Sequence, residues 1–218
     1  MNVEAARAKM VREQIEARGV RDPRVLAAMR RVPRHLFVGE NLAERAYDDT
    51  PLPIGAQQTI SQPYIVALMA EALELTGVER VLEIGTGSGY EAAILAELCA
   101  EVYSVERIVK LAEQAMALLD SLGYRNVHVR VCDGSSGWPE AAPFAAVVMS
   151  AAAREIPRPL VEQLADDGRF VLPMGDEDMQ TLVRLRKRQG ALEEDCLGEC
   201  RFVKLIGAYG WEEPERRH

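Results

Sequence analysis

A glycine-rich turn follows the first apolar strand pattern in the section of the chain after residue 76. Residues 80–84 predict a short strand, residues 85–89 read Gly-Thr-Gly-Ser-Gly, and residues 90–98 predict a helix. Glycine lets a backbone approach a ligand closely and adopt conformations that other residues avoid. Ligands of open α/β sheets bind beyond the carboxyl ends of the strands, where this turn would lie. The pattern therefore indicates a ligand site, although some glycine-rich turns are only tight turns.

Acidic residues stand at the ends of three successive predicted strands. Glu83 ends the first, Glu106 follows the second, and Asp133 with Gly134 follows the third. Glu106 could accept hydrogen bonds from ribose hydroxyls, and Asp133 could accept one from an adenine amino group. Taken singly, Glu106 could be a surface helix cap and Asp133 a turn residue. Three acids around one glycine turn favour an adenosine-containing cofactor over these plainer interpretations.

Two cofactors could occupy such a turn. A dinucleotide fingerprint beginning at Gly85 would need glycine or alanine where the chain has Tyr90. A fingerprint beginning at Gly87 can be matched only loosely, through Gly89 and Ala92. Glu83 separates the two cofactors, because its carboxylate would repel the doubly charged pyrophosphate of a dinucleotide. S-adenosylmethionine has no phosphate and carries a cationic amine and a sulfonium. Glu83 therefore favours this methyl donor, either by direct contact or through the backbone and a water molecule.

Alternating strand and helix patterns after residue 76 would position these acids. Further strands are predicted at 101–105, 127–131, 145–150, 169–172, 180–188 and 199–206, and further helices at 109–122 and 159–164. Such alternation predicts a mainly parallel sheet covered by helices on both faces. The last two strands, joined near Gln189 and Gly190, predict an antiparallel edge.

The first 76 residues carry helical and loop patterns instead. Gly19 ends a first helical pattern. Residues 52–61 include a proline and a glycine and are predicted to form a loop, after which a helix begins near Pro63. We therefore divide the chain into an N-terminal region of helices and this loop, 1–76, and a sheet domain, 77–218, within one compact unit.

The totals for the whole chain exclude several classes of protein. The 218 residues carry a net charge of −8 and are 48% hydrophobic, as in an ordinary globular protein. The acidic balance argues against a protein that coats nucleic acid, and no apolar run approaches the roughly 20 residues that span a bilayer. Residues 1–18 lack the apolar stretch of a signal peptide. We expect a cytoplasmic monomer that binds neither nucleic acid nor membrane.

Two other patterns allow functional interpretations that the residues do not favour. The four cysteines form no Cys-x-x-Cys pair and have no ligand cluster nearby, so no metal site is expected. The basic residues at 184, 186, 187 and 188 could suggest a nucleic-acid surface. Their alternation with Val183 and Leu185 instead predicts a half-solvated edge strand.

Longer segments of the chain match one family of enzymes. The stretch 82–90 is common to methyltransferases in general, whereas 58–64, with Thr-Ile-Ser-Gln-Pro at its centre, is specific. Further matches lie at 51–55, 104–108, 133–134, 137–139, 141–144, 151–153, 156–157 and 201–203. Over nearly its whole length the chain resembles bacterial protein-L-isoaspartate O-methyltransferases.

The resemblance implies a fold and an activity. The fold would be the Rossmann-like, doubly wound α/β fold of S-adenosylmethionine-dependent methyltransferases, with a mainly parallel sheet, an antiparallel edge and an N-terminal helical extension. The activity would be methyl transfer from S-adenosylmethionine to the α-carboxylate of L-isoaspartyl residues in damaged proteins and peptides. The methyl ester would close to a succinimide without enzyme, and hydrolysis would return some normal aspartate, which amounts to repair.

The resemblance also implies roles for individual residues. Ser61 matches the catalytic serine of the family. The residues expected to hold the cofactor are Glu83, Gly85, Thr86, Gly87, Ser88, Gly89, Glu106, Arg107, Asp133 and Gly134. Those expected to contact the substrate are Ile54, Thr59, Ile60 and Ser61. The chain departs from the family pattern where Glu91 replaces a common glutamine, Ala145 a usual aspartate and Lys204 a usual proline.

Ser61 has two interpretations. The acceptor carboxylate is ionised near neutral pH and needs no general base. A hydroxyl could hold one carboxylate oxygen while the other attacks, whereas a charged arginine or lysine would bind more tightly but weaken the nucleophile. By position alone, Ser61 is more simply the N-cap of the helix that begins near Pro63. The match to the family loop reverses that order, and the two roles can coexist.

Other functional classes lack their motifs in this chain. A nucleic-acid base methyltransferase would show Asn- or Asp-Pro-Pro-Tyr after its fourth strand, where residues 149–153 read Met-Ser-Ala-Ala-Ala. A metal-dependent phenol methyltransferase would need a cluster of acids near the acceptor, and the sequence shows none. A nucleotide-binding regulatory domain without catalysis would not need the loop around Ser61.

Overall fold

The computed structural model describes residues 2–212. Its helices are α1 Val3–Met10, α2 Pro23–Arg31, α3 Pro63–Ala72, α4 Tyr90–Ala96, α5 Val109–Ser121 and α6 Arg158–Gln163. Its strands are β1 Leu52–Gly55, β2 Gln58–Ile60, β3 Arg80–Ile84, β4 Glu101–Glu106, β5 Val127–Val131, β6 Phe144–Met149, β7 Leu164–Gly175, β8 Gln180–Arg188 and β9 Ala191–Cys200. Short 3-10 or π-helical turns lie at Val11–Ile15, Glu16–Arg18, Arg34–Phe37, Glu40–Arg45, Gly134–Ser136 and Pro139–Ala141.

Seven of the strands form one sheet in the order β5-β4-β3-β6-β7-β8-β9. Neighbouring strands from β5 to β7 are parallel, and the pairs β7-β8 and β8-β9 are antiparallel. The strand order reverses at β3, which pairs with β4 on one side and β6 on the other. Open α/β sheets form ligand clefts at such a switch point. The predicted parallel sheet with an antiparallel edge is confirmed.

Helices cover both faces of the sheet because successive strand residues point to opposite sides. Val81 of β3 packs in one core with Leu95 of α4 and Leu119 of α5. Its neighbour Leu82 packs in a second core with Leu160 of α6. The alternation of one short strand thus joins both layers to the central sheet.

The N-terminal helices extend the first of these cores. Met10, Met29 and Met69 come from α1, α2 and α3, and all three are buried in the cluster that contains Val81. The N-terminal region therefore packs directly on the layer that covers the switch point. The division of the chain at residue 76 stays a prediction about its organisation.

Residues 52–61 form a hairpin, so the predicted loop is wrong. β1 pairs antiparallel with β2, and Leu52 lies opposite Ile60. The turn between them takes positive φ at Gly55 and at the two residues that follow it. The strands have only four and three residues, and β1 includes Pro53. Such short strands give no alternation that a sequence pattern could reveal.

The last strand lies earlier in the chain than predicted. β9 spans Ala191–Cys200, whereas the strand was expected at 199–206, where the chain instead makes isolated bridges such as that between Ala152 and Lys204. Because β9 covers β8, the basic strand is not an edge strand. The run Glu-Glu-Asp at 193–195 gives β9 little apolar character, and Asp195 pairs at 2.7 Å with Arg184 of β8.

Glu74, just beyond α3, connects that helix to β7 and β8. Its carboxylate accepts hydrogen bonds from Arg184 at 2.8 Å, from Arg169 at 3.2 Å and from Arg186. Burial raises the pKa of Glu74, but the three guanidinium groups outweigh burial and bring the pKa below its ordinary value. The arginines of β8 thus belong to an ion-pair network within the fold.

The substitution Glu74→Gln is expected to lower the free energy of unfolding by roughly 1 kcal/mol near neutral pH, since water screens partly exposed ion pairs. A carboxylate whose pKa falls on folding contributes stability above its unfolded-state pKa and loses it as the pH falls through its folded-state pKa. Urea unfolding should therefore separate the variant from the wild type near neutral pH and not in acid. Glu162→Gln, which breaks an exposed pair with Arg158, should change less, and a loss that is the same at every pH would contradict the ionic explanation.

Candidate active site

A cleft opens beside the glycine turn, beyond the carboxyl ends of β3, β4 and β6. Ligands of open α/β sheets bind at this position. The predicted site residues on its wall are Thr59, Ile60, Ser61, Gly85, Thr86, Gly87, Ser88, Glu106, Arg107 and Gly134. The predicted site residues outside its wall are Ile54, Glu83, Gly89 and Asp133.

The glycine turn is tied to the end of β4 by its backbone. Gly85 and Gly87 have φ values of 98° and 52°, in the left-handed region that favours glycine. The Gly85 amide donates to the carbonyl of Val105 at 2.8 Å, and the Gly87 amide donates to Oε2 of Glu106 at 2.9 Å. These bonds hold the turn against the cleft in one conformation.

Glu106 is buried at the end of β4, with 6% of its surface exposed. This burial excludes the interpretation as a surface helix cap. Besides the bond from Gly87, its Oε1 accepts from the Ile108 amide at 2.9 Å. A carboxylate has about four acceptor sites, so Glu106 can brace the turn and still accept hydrogen bonds from a ligand in the cleft.

Glu83 lies beneath the glycine turn and is fully buried. Its Oε2 accepts a hydrogen bond from the Ser104 hydroxyl, which lies 2.5 Å from the hydroxyl of Thr86 in the turn. Its Oε1 has no hydrogen-bond partner among residues 2–212. Burial raises the pKa of Glu83 well above its ordinary value, and the negative charges of Glu91 and Glu106 add to this against the bond from Ser104.

Glu91, noted in the sequence only as an added charge, lies on the cleft wall. It is buried in the first turn of α4, and its Oε2 accepts a hydrogen bond from the hydroxyl of Ser150, which follows β6. Burial raises the pKa of Glu91 to about 7, against the opposing effect of the bond from Ser150. Its Oε1 has no partner within the described residues. An acid in the first turn of the helix that follows the glycine turn is the signal that could have assigned Glu91 to the site.

Asp133 holds the C-terminal segment and does not line the cleft. Its Oδ1 accepts from the amide and hydroxyl of Ser135 at 2.9 and 2.7 Å, and its Oδ2 accepts from the Ala208 amide at 2.7 Å. This is the turn-residue role, extended by a long-range bond. Only its neighbour Gly134 reaches the cleft wall, and a contact between Asp133 and an adenine stays a prediction.

Ser61 lies on the cleft wall between β2 and α3. Gln62 is the residue at the N-cap of α3, and no side chain caps that helix, so Ser61 does not have the predicted capping role. The buried Arg34 holds the loop, because its Nη2 donates to the Ser61 carbonyl and its Nε to the Ala46 carbonyl, both at 2.7 Å. The guanidinium lies 4.8 Å from the ring centroid of Tyr90. No sequence pattern had predicted a role for Arg34.

Ile54 and Gly89 are two predicted site residues that do not line the cleft. Ile54 lines a neighbouring groove, and its Cδ1 lies 3.3 Å from the position that a Cβ on Gly87 would take. A Cβ on Gly89 would lie 3.3 Å from Ala115 and from Leu119 of α5. Ile54 therefore packs against the turn and Gly89 against α5, and neither residue lines the cleft.

A sequence profile of one family matches residues 5–210, and its description is Protein-L-isoaspartate(D-aspartate) O-methyltransferase (PCMT). The chain belongs to this family. The protein-L-isoaspartate O-methyltransferase of Syntrophus aciditrophicus is 58% identical over 208 residues, which cover 94% of this chain and 95% of the relative. That of Geobacter metallireducens is 56% identical over 212 residues, which cover 97% of this chain and 98% of the relative.

Solved structures show the same architecture. A protein-L-isoaspartate O-methyltransferase superimposes with a TM-score of 0.85 and 29% identity over 94% of this chain and 67% of its own. A Plasmodium falciparum structure described as a beta-aspartate methyltransferase (PCMT), in complex with S-adenosyl-L-homocysteine, shares the fold with a TM-score of 0.80 and 24% identity. It covers 92% of this chain and 98% of its own.

Membership of the PCMT family confirms the fold and the enzyme class that the resemblance predicted. The chain is an S-adenosylmethionine-dependent methyltransferase of the protein-L-isoaspartate type. Within residues 2–212, no helix has both the length and the apolar character needed to cross a membrane.

Proposed function

We propose that this enzyme methylates the α-carboxylate of L-isoaspartyl residues in damaged proteins and peptides, and that Ser61 holds the carboxylate. One observation carries the residue assignment: Ser61, Thr59 and Ile60 line the same cleft as the glycine turn and Glu106. The segment that would hold an acceptor thus shares one cleft with a site for a methyl donor. Ile54, outside this wall, would meet substrate only from the neighbouring groove.

The cleft suits a cationic donor. Glu106 and Glu91 lie on its wall, and both Glu83 and Glu91 have a buried carboxyl oxygen without a partner among the described residues. The residues that we propose to hold S-adenosylmethionine are Gly85, Thr86, Gly87, Ser88, Glu106, Arg107 and Gly134, supported from behind by Glu83, Gly89 and Asp133. When bound, this cofactor supplies a methyl group on a positively charged sulfur.

The protein contributes to the reaction by aligning the acceptor carboxylate with the methyl group and by removing water from it. The acceptor carboxylate is ionised near neutral pH, so no residue has to remove a proton. The Ser61 hydroxyl donates to one carboxylate oxygen and leaves the other free to attack, while the cleft keeps water away. Arg34 positions Ser61 through its backbone carbonyl, which keeps the guanidinium charge off the nucleophile.

The fate of the product completes the proposal. The carboxylate has no good leaving group, whereas its methyl ester can lose methanol, so the neighbouring backbone nitrogen attacks the ester carbonyl, displaces methanol and closes a succinimide without the enzyme. Hydrolysis returns part of the succinimide to normal aspartate. We also propose that the protein works as a cytoplasmic monomer and needs no nucleic-acid partner.

Transfer of a labelled methyl group tests the substrate assignment. We expect label from S-adenosylmethionine to appear in an isoaspartyl peptide and not in the matched aspartyl peptide. Equal labelling of both peptides, or of neither while the cofactor binds, would refute the assignment.

Glu106→Ala is expected to weaken binding of S-adenosylmethionine by about 1.5–3 kcal/mol, or roughly 10- to 150-fold, the scale of a hydrogen bond to a charged group. The structure adds a reason, because the variant also frees the Gly87 amide of the turn. Calorimetry measures the dissociation constant. Glu101→Ala, at the other end of β4, removes an exposed partner of His128 and should leave the constant unchanged. An unchanged constant for Glu106→Ala would restrict Glu106 to a structural role.

A further inference from the structure

Two buried carboxyl groups lie together behind and beside the cofactor cleft, and we call Glu83 and Glu91 the carboxyl pair. Val81, two residues before Glu83 and on the same face of β3, packs in the core that includes the buried residues of α4. Glu83 therefore points toward the layer that contains α4, whose first turn carries Glu91. The negative charge of Glu91 contributes to the raised pKa of Glu83, in keeping with this placement.

In each member of the carboxyl pair, one carboxyl oxygen accepts a hydrogen bond and the other does not. A serine hydroxyl donates to each: Ser104 to Glu83 and Ser150 to Glu91. The second oxygen of each is buried and has no partner among residues 2–212. Two ionised carboxylates in so enclosed a place would repel each other and lack solvation, and such pairs reduce the repulsion by retaining a proton.

The charged groups around the carboxyl pair do not remove the need for it to retain a proton. Glu106 faces the pair from β4 and adds negative charge. Arg107 and Lys204 lie on the cleft wall, and Lys204 forms an ion pair with Glu177 at 2.5 Å. On the helix side, the guanidinium of Arg34 lies over the ring of Tyr90, and burial raises the pKa of Tyr90 to about 12, so this phenol stays neutral.

Protonation near neutral pH follows from burial. Burial raises the pKa of Glu91 to about 7 and that of Glu83 well above its usual range. In the cofactor-free protein, the carboxyl pair therefore keeps a proton at a pH where exposed glutamates have lost theirs.

We propose that the carboxyl pair is a charge sensor that distinguishes the methyl donor from its demethylated product. The inference rests on the proposed function, because it needs S-adenosylmethionine in this cleft. The pair releases a proton to solvent when the sulfonium cation binds. After methyl transfer, the sulfur is a neutral thioether, and the pair takes a proton back from solvent.

The charge balance of the reaction supports this cycle. The donor carries a sulfonium, an ammonium and a carboxylate, for a net charge of one positive unit, and the product lacks the sulfonium charge. Methyl transfer consumes the positive sulfur and the negative acceptor carboxylate together, so no proton enters or leaves during that step. The proton lost on donor binding thus returns only after methyl transfer, when the product occupies or leaves the cleft.

The direction of the pH dependence follows. At lower pH the carboxyl pair is protonated, and donor binding must expel a proton, so donor affinity should rise with pH by up to about tenfold per unit across the titration range. Product affinity should change less or fall. The preference for donor over product should therefore increase as the pH rises through neutrality.

Calorimetry of the full-length protein provides the test. Binding of S-adenosylmethionine and of S-adenosylhomocysteine is measured near pH 7 in buffers with different ionisation enthalpies. We expect net proton release for the donor and a smaller release, or uptake, for the product. An infrared difference spectrum should show a larger loss of the protonated carboxyl band on donor binding than on product binding. Equal proton exchange for the two ligands would overturn the proposal.

Two variants should move the donor's pH dependence in opposite directions. Glu91→Gln removes the charge that raises the pKa of Glu83, so the rise in affinity should shift to lower pH. Ser150→Ala removes the hydrogen bond that stabilises ionised Glu91, so the rise should shift to higher pH. Glu97→Gln, at the far end of α4, should leave the profile unchanged. If Glu91→Gln does not fold, Ser150→Ala alone decides, and shifts in the same direction or no shift in either variant would refute the sensor.

The peptide assay separates this proposal from the proposed function. Methylation of the isoaspartyl peptide without ligand-specific proton release would sink the sensor and leave the function standing. Ligand-specific proton release without methylation of that peptide would refute the proposed function and leave the sensor standing.

Discussion

Arg34→Ala is expected to lower the free energy of unfolding by about 2–4 kcal/mol. The substitution removes a fully buried side chain that packs over Tyr90 and leaves the carbonyls of Ala46 and Ser61 without their donor. Loss of the side chain creates a cavity, and each unpaired buried carbonyl is unfavourable by about 1–3 kcal/mol. Burial lowers the pKa of Arg34, which means that removing the buried charge offsets part of this loss.

A matched variant separates burial from charge. Arg31→Ala removes a guanidinium that pairs with Glu97 at the surface, and exposed pairs contribute about 0–1 kcal/mol. Urea unfolding should therefore distinguish the two alanine variants clearly. Arg34→Lys keeps a cation but cannot reach both carbonyls with a planar fork, so we expect an intermediate stability and a lower kcat from a displaced Ser61. Equal unfolding curves for Arg34→Ala and Arg31→Ala would show that the buried bonds contribute nothing.

Most of the sheet could be predicted from the sequence because its strands carry apolar runs or a regular alternation of apolar and polar residues. β5 and β8 begin and end at the predicted residues, and β3, between its two parallel neighbours, also lies where its apolar run places it. β9 is exposed at the sheet edge and carries acids at 193–195, so pattern alone misplaced it. The hairpin β1-β2 was missed because three or four residues are too few to show a period.

The features of the site that depend on local position in the chain could be predicted from the sequence. The side-chain contacts with distant segments could not. The glycine turn and Glu106 form the cleft wall because their position after a strand dictates it. Asp133 also follows a strand, but nearby amides from Ser135 and Ala208 take up its oxygens, and those contacts depend on a chain segment some 75 residues away. Arg34 belongs to the same class, because only the folded chain brings its guanidinium to the carbonyl of Ser61.

Ser61→Ala is expected to lower kcat on an isoaspartyl peptide by roughly 10- to 150-fold and to leave the dissociation constant of S-adenosylmethionine nearly unchanged. The factor corresponds to about 1.5–3 kcal/mol, the scale of a hydrogen bond to a charged group. The loss should be partial, because the variant keeps the cofactor site and the desolvated cleft. The bond from Arg34 to the backbone of Ser61 is also kept, so the loop should hold its place.

Three measurements distinguish orientation by the Ser61 hydroxyl from other roles. Ser61→Thr keeps the hydroxyl and adds a methyl group on the cleft wall, so a kcat between those of wild type and Ser61→Ala would show that placement matters as well as chemistry. Intact-mass spectra during turnover should show no methyl group on the protein, because a hydroxyl that keeps its proton is a donor and a poor nucleophile. A methylated Ser61 that decays as product forms would replace orientation by covalent catalysis. Full activity in Ser61→Ala would leave the Ser61 hydroxyl no part in the reaction, and the helix that follows does not need it as a cap, because its N-cap position is Gln62.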